Sequence, residues 1–182
     1  MNITTIGRGN IGGGLAKRWR ATGHEVTELG SDGGDLGGPD AVLVAIPSNA
    51  IEDAFKRVTG IGDAVVIDAT NAFTGRDEGF DSLAHQIKSH VSGPVAKSFN
   101  CNYAALYDEI DSQRVPPCNL YAAEDGAVGV TELLIRDAGF HPVSVGGLGS
   151  ARMLEDHLGL MTAINESGLG RFFYRYARPG EL

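Results

Sequence analysis

Three glycines near the head of the chain stand at the spacing that a phosphate-bearing ligand requires: Gly7-Arg8-Gly9-Asn10-Ile11-Gly12. In a G-x-G-x-x-G run between a strand and a helix, the first glycine permits a tight turn. The second lets the backbone approach a pyrophosphate, and the third lets the helix pack closely on the strand. Free N–H groups at the helix start donate to the anion. Gly7, Gly9 and Gly12 match those roles, whereas Gly13 and Gly14 meet no such need. Each of these two weakens a helix by about 1 kcal/mol relative to alanine, which leaves close packing as their use.

An acidic side chain about 20 residues beyond the third glycine completes the pattern by accepting hydrogen bonds from the adenosine ribose of NAD. Asp32 lies there, and Glu28, near the end of the second predicted strand, competes for the role. Small or polar residues also follow three apolar runs: Ile46-Pro47-Ser48, Asp68-Ala69-Thr70-Asn71 and Phe99-Asn100. Ligands of open α/β sheets sit outside the carboxyl ends of strands, so these three ends are expected to meet in one crevice. Strand termination at Pro47 and a turn at Thr70 and Asn71 account for the same residues without a ligand.

Lys97 has apolar neighbours in a strand whose alternation puts Val95, Lys97 and Phe99 on one face and Ala96, Ser98 and Asn100 on the other. Such a lysine either pairs with a carboxylate inside the fold, the preferred reading, or donates a proton to a carbonyl or imine substrate. Of the five histidines only His157, on the last predicted helix, stays beside Lys97 as a catalytic candidate. Arg152 and Glu155 on that helix either hold an acceptor or form an ordinary i, i+3 surface pair. The chain has no Ser-His-Asp or Cys-His set and no metal-ligand spacing, so no metal is expected. Cys101 and Cys118 are outside any CxxC pair and read as buried thiols.

The elements that must position these groups alternate. A strand over Ile3 to Ile6 stops at Gly7, and Ile11, Leu15 and Trp19 then take helical spacing. A strand at Glu25 to Leu29 leads to a glycine-rich piece, Gly30 to Asp40, too short for a helix plus a strand. Ala41 to Pro47 and Ala64 to Thr70 are continuous apolar runs of the kind covered on both faces. Helices are expected at Ala50 to Val58 and Asp81 to His90, a strand at Pro94 to Phe99, and a short helix at Tyr103 to Glu109. A strand then runs into Asp125 as an N-cap, a helix ends at Gly139, and a last strand covers His141 to Gly147. Ser150 is expected to cap a final helix whose apolar positions cover more than one face, which predicts an oligomer.

This order gives an α/β fold: a Rossmann-like, doubly wound, mostly parallel sheet over residues 1–147, with a small helical extension over 148–182 for the acceptor side and the oligomer contact. The chain's 182 residues suit one domain, 42% of them hydrophobic and 21% charged. No apolar run approaches the roughly 20 residues needed to cross a bilayer, and a secretory leader is absent from the start of the sequence, so a cytoplasmic protein is expected. A net charge of −8 argues against a nucleic-acid surface.

The segments IGRGNIGGGLAKRWRATGHEV, AVLVAIP, VVIDATN, PVAKSFN and GSARMLED resemble the NADPH-dependent coenzyme F-420 (deazaflavin) oxidoreductases and related NAD(P)-binding Rossmann reductases. The likeness runs over nearly the whole chain, and its later segments are more specific than the glycine motif. It implies hydride transfer between a nicotinamide and a deazaflavin or flavin-like acceptor. It also implies NADP or NAD as cofactor, coenzyme F-420 as co-substrate, and a homodimer or higher homo-oligomer. Dinucleotide contacts would fall on Arg8, Gly9, Asn10, Ile11, Ser31, Ile46 and Pro47, with the nicotinamide end near Asn71 and Asn100.

Two departures stand out. The family follows its second strand with Ser-Arg and a further helix and strand, whereas here Gly30-Ser31-Asp32 opens a short loop, so one α-β unit is missing. The usual arginine for a 2′-phosphate is lost and Asp32 would repel that group, which points to NAD or dual use, with Arg8 as a remaining cation. Two other functions fit the same residues: reduction of a small carbonyl or imine compound, and non-catalytic dinucleotide binding in a redox sensor.

Overall fold

Each buried apolar run of the sequence becomes a strand in the computed structural model, which describes residues 1–180. In chain order the elements are β1 (Asn2–Ile6), α1 (Asn10–Ala21), β2 (Glu25–Leu29), β3 (Gly34–Asp35), β4 (Ala41–Val44), α2 (Ile51–Arg57) and β5 (Val58–Thr59). They continue with β6 (Val65–Asp68), α3 (Leu83–Lys88), β7 (Val95–Ser98), β8 (Cys118–Ala123), α4 (Asp125–Asp137), β9 (His141–Ser144) and α5 (Ala151–Ile164). Seven strands form one sheet in the order β2-β1-β4-β6-β7-β8-β9. All neighbours are parallel except β7 and β8. The strand order reverses between β1 and β4, the point at which such sheets open a ligand crevice.

Strand alternation splits the interior into two cores. Ala41 and Leu43 join Ile3, Ile67, Leu15, Trp19 and Leu134 under α1 and α4. Val42 and Val44 join Val66, Ile51, Leu83, Leu154 and Met161 under α2, α3 and α5. Full burial of a side chain such as Leu15 contributes about 1.5–3 kcal/mol. Trp19 is fully buried, and its indole N–H donates to Leu134 O at 2.9 Å, so its one polar group is satisfied. A side chain at Gly14 would come within 2.7 Å of the Tyr107 ring, so this glycine admits the 3₁₀ helix Ala104–Ser112 onto α1.

β2 forms one edge of the sheet, so the α-β unit that would lie outside it is missing, as the short glycine loop implied. The loop is not featureless, however. Gly34 and Asp35 pair with Val58 and Thr59 in a small separate ladder, which folds the loop back onto the end of α2. Glu124, not Asp125, occupies the N-cap of α4, and its carboxylate accepts the Val95 N–H at 2.7 Å. Ser150 precedes α5 without a side-chain cap bond, because the 3₁₀ turn Leu148–Ser150 already gives it helical backbone angles.

The expected alternation in β7 fails at its end. Phe99 is the one non-glycine residue with positive φ among the described residues, at +61°. That turn carries its ring to the Ala96 side, edge-on to Trp19 at 5.8 Å, and not to the face of Val95 and Lys97. Asn100 is thereby turned onto α5, where its amide donates to Leu154 O at 2.9 Å.

Within the 148–182 extension, Leu154 and Met161 of α5 belong to the sheet's own core; residues 181 and 182 lie outside the described ones. After α5 the chain returns along β8. Cys118 N donates to Tyr174 O at 2.9 Å, and Arg175 donates to Pro116 O at 2.7 Å.

Candidate functional site

The glycine turn has the shape its sequence requires. Gly7 takes φ +104°, and a side chain there would collide with Ala45 O, while one at Gly12 would collide with Gly7 O. Gly9 differs: its φ of −76° and ψ of −162° suit any residue, and a side chain would meet nothing within 4 Å. It is also the N-cap of α1, so the N–H groups of Asn10, Ile11 and Gly12 have no acceptor within the helix. The turn therefore offers a bare backbone, open space and unpaired donors at one place, the combination that receives a pyrophosphate.

Two cavities flank the turn and share Ile46 and Pro47. The first, about 380 Å³, lies beyond β1 and β2 and is lined by Gly7, Arg8, Gly30, Ser31, Gly33, Asp53, Ala54 and Arg57, among others. The second, about 530 Å³, lies beyond β4, β6 and β7. It is lined by Gly9, Asn10, Ile11, Thr70, Asn71, Phe73, Asn100, Asn102, Tyr103 and Leu158, among others. Together they make one crevice over the carboxyl ends of the strands.

At the floor of the second cavity the Asn71 and Asn100 amides bind one another. Asn71 Nδ2 donates to Asn100 O at 2.9 Å, and Asn100 Nδ2 donates to Asn71 Oδ1 at 3.0 Å. Among the described residues, Tyr103 is the one titratable side chain lining this cavity. Its hydroxyl donates to Met161 O at 3.0 Å, and burial raises its pKa.

Several expected site residues stand elsewhere. Asp32 is exposed and lines neither cavity. Glu28 is also outside them, paired with Arg20 at 2.7 Å. Ser48 is buried below the crevice, its hydroxyl donating to Gly75 O at 2.7 Å, where it fixes the turn that carries Phe73.

Lys97 is fully enclosed. Its ammonium donates to Asp68 Oδ2 at 2.7 Å and Thr70 O at 2.6 Å and lies 3.5 Å from Glu155 Oε1. Glu155 is no surface partner of Arg152, which pairs instead with Asp156. The Glu155 carboxylate accepts from Arg76 at 2.7 Å and from Leu83 N at 2.8 Å. A four-charge network thus joins β6, β7, α5 and the segment before α3, with no open face toward either cavity. His157 lines neither cavity; its ring meets Tyr174 edge-on at 6.2 Å, and burial lowers its pKa. Burial also pushes the Cys101 thiol up to about 12, against a smaller opposite effect of Lys97.

Reasoning from strand ends reached Pro47, Thr70, Asn71 and Asn100 but missed Phe73, Tyr103, Leu158 and Arg57. Phe73 and Tyr103 follow two of those ends within three residues, so a longer window would have found them. Leu158 and Arg57 come from other elements and carry no local signal.

A glycine-turn crevice at the switch point of a mostly parallel sheet defines a Rossmann-type dinucleotide-binding fold. The chain matches no protein-family model and no curated protein by sequence. Among solved structures it is similar to a candidate F420-dependent NADP reductase of Arthrobacter sp. FB24. That match has 20% identity and TM-score 0.78, over 97% of this chain and 99% of the other. A hypothetical protein of Sinorhizobium meliloti matches at 25% identity and TM-score 0.67, over 83% and 88%. The reductive aminase of Aspergillus terreus, solved with NADPH4, cyclohexanone and allyl amine, matches at 13% and TM-score 0.65, over 92% of this chain and 62% of that one. These likenesses establish the shared fold.

Proposed function

We propose that the chain is an NAD(P)-dependent oxidoreductase that passes a hydride between a nicotinamide and a deazaflavin or flavin-like acceptor. The observation that carries the reading is Gly9, which faces open space between two cavities that share one wall. The first cavity takes the adenosine end. The helix donors at Asn10, Ile11 and Gly12 take the pyrophosphate, and the pocket above Asn71 and Asn100 takes the nicotinamide. Bound there, a reduced nicotinamide supplies the hydride. The protein's part is to hold two rings in register and exclude water, for which Ile11, Ile46, Phe73 and Leu158 provide apolar walls.

The choice of acceptor rests on what the second cavity lacks. Reduction of a carbonyl or imine consumes a proton at the substrate, and the one titratable group lining this cavity already donates its proton to Met161 O. Hydride transfer to a flavin-like ring also takes up one proton, but the ring delocalises the arriving charge, so that proton can come from solvent after the hydride has passed. The fold shared with a candidate F420-dependent NADP reductase supports the same choice, and the likeness to a reductive aminase keeps imine reduction as the second reading.

An anaerobic assay of NADPH and NADH against deazaflavin, flavins, ferric chelates and a cyclic imine tests the proposal. Saturable oxidation with the ring acceptors is expected. Tight nucleotide binding without turnover on any acceptor would mean a redox sensor. We further propose a cytoplasmic homo-oligomer joined through α5, where Met153 and Leu160, seven residues apart on one helical face, are 67% and 57% exposed.

A further inference from the structure

We propose that Arg57, together with Arg8, forms a receiving site for a 2′-phosphate on the adenosine ribose, so that this chain selects NADPH over NADH. The inference rests on the dinucleotide reading above. It reverses the preference for NAD or dual use that the loss of an arginine after β2 suggests.

A ribose 2′-phosphate is a compact dianion, and guanidinium groups meet it with paired, charge-assisted N–H donors. Two such groups line the first cavity, and they arrive from different elements. Arg8 leaves the glycine turn and passes over Gly30, where a side chain would come within 3.2 Å of its Nε; the absent side chain makes room for the guanidinium. Arg57 closes α2, and its Nη1 donates to Ser31 O at 3.1 Å. A side chain at Gly33 would collide with Arg57 O, so the loop after β2 rests directly on the end of α2.

The missing α-β unit therefore has a structural consequence. With no further strand outside β2, the small β3–β5 ladder draws the loop onto α2, and the last residue of that helix enters the site in place of one after β2. Neither Arg8 nor Arg57 pairs with a carboxylate among the described residues, whereas Lys56 beside it is held by Glu52 at 3.2 Å and Asp53 at 3.8 Å. Among the described residues Asp53 is the one carboxylate that lines the cavity, and Asp32 stands outside it. The cavity beside that loop thus carries two guanidinium groups that no carboxylate pairs among the described residues.

The test is calorimetric titration of wild-type protein and Arg57→Ala with NADPH, NADH, 2′,5′-ADP and 5′-AMP. Wild type is expected to bind NADPH and 2′,5′-ADP at least about tenfold more tightly than their counterparts without the 2′-phosphate, with the preference shrinking as salt rises. Arg57→Ala is expected to erase most of that preference by weakening NADPH while leaving NADH within about twofold; Arg57→Lys is expected to fall between. Equal binding of the two cofactors by wild type, or an equal loss of both in Arg57→Ala, overturns this inference and leaves the dinucleotide site standing. Failure of wild type to bind any of the four ligands overturns both.

Discussion

Gly9 and Gly12 are the same residue type three positions apart, and substitution separates their work. A Cβ at Gly9 meets no protein atom within 4 Å and no forbidden backbone angle, so Gly9→Val should unfold close to the wild-type temperature. It should also lose more than about tenfold in NAD(P)H affinity by calorimetry, because the side chain fills the space proposed for the pyrophosphate. Unchanged affinity would remove the site from this turn. Gly12→Ala collides with Gly7 O and should destabilise the fold by about 1–3 kcal/mol in denaturant titrations. Lys97→Met leaves the Asp68 and Glu155 carboxylates facing one another without their shared cation, and a loss of about 3–5 kcal/mol is expected. A loss below about 1 kcal/mol would show that the pairing matters little. The glycine roles were legible because backbone sterics are local. Asp32 stands outside both cavities, because a count along the chain cannot say which way an exposed loop residue points.

The elements were legible where one rule acted alone and obscure where two competed. Ala41 to Val44 reads as a strand covered on both faces, and its residues divide between the two cores in strict alternation. The same rule fails at Phe99, where a left-handed residue reverses the faces; the bulky ring finds its place beside Trp19, and nothing in the local sequence announces it. α5 is held to the sheet by Glu155, and beneath it Cys101 is buried with its thiol directed to Leu154 O at 3.2 Å. Alkylation of Cys101 should therefore report the undocking of α5: slow in wild type at pH 8, and at least about tenfold faster in Glu155→Gln, which removes charge from the network. The sign of the pH effect follows. An unfolded thiol ionises from about pH 9, while the folded one keeps its proton to about pH 12. The unfolded state binds fewer protons in that window, so this group's contribution to stability falls as pH rises from 9 toward 12. Alkaline denaturation of Cys101→Ala should show a shallower slope there.

For the whole molecule, the alternation of strands and helices was enough to give a doubly wound sheet, and the short glycine loop was enough to show that a unit is missing. What that absence does could not be read, since the contact of the loop with α2 joins residues 31 and 57 across an intervening strand. The antiparallel β8 was hidden for the same reason: the long excursion after β7 can return in either direction. If α5 joins protomers as proposed, sedimentation should give a dimer or larger species, and a Met153→Lys, Leu160→Lys double variant should sediment as a monomer with its unfolding temperature little changed. The return of the chain along β8 also bears on synthesis. The Cys118 N–H, at the start of the strand next to the sheet's β9 edge, has its partner 56 residues later at Tyr174. A nascent chain must therefore wait with that part of the sheet uncapped until Tyr174 has left the ribosome, an interval in which a chaperone can act on it.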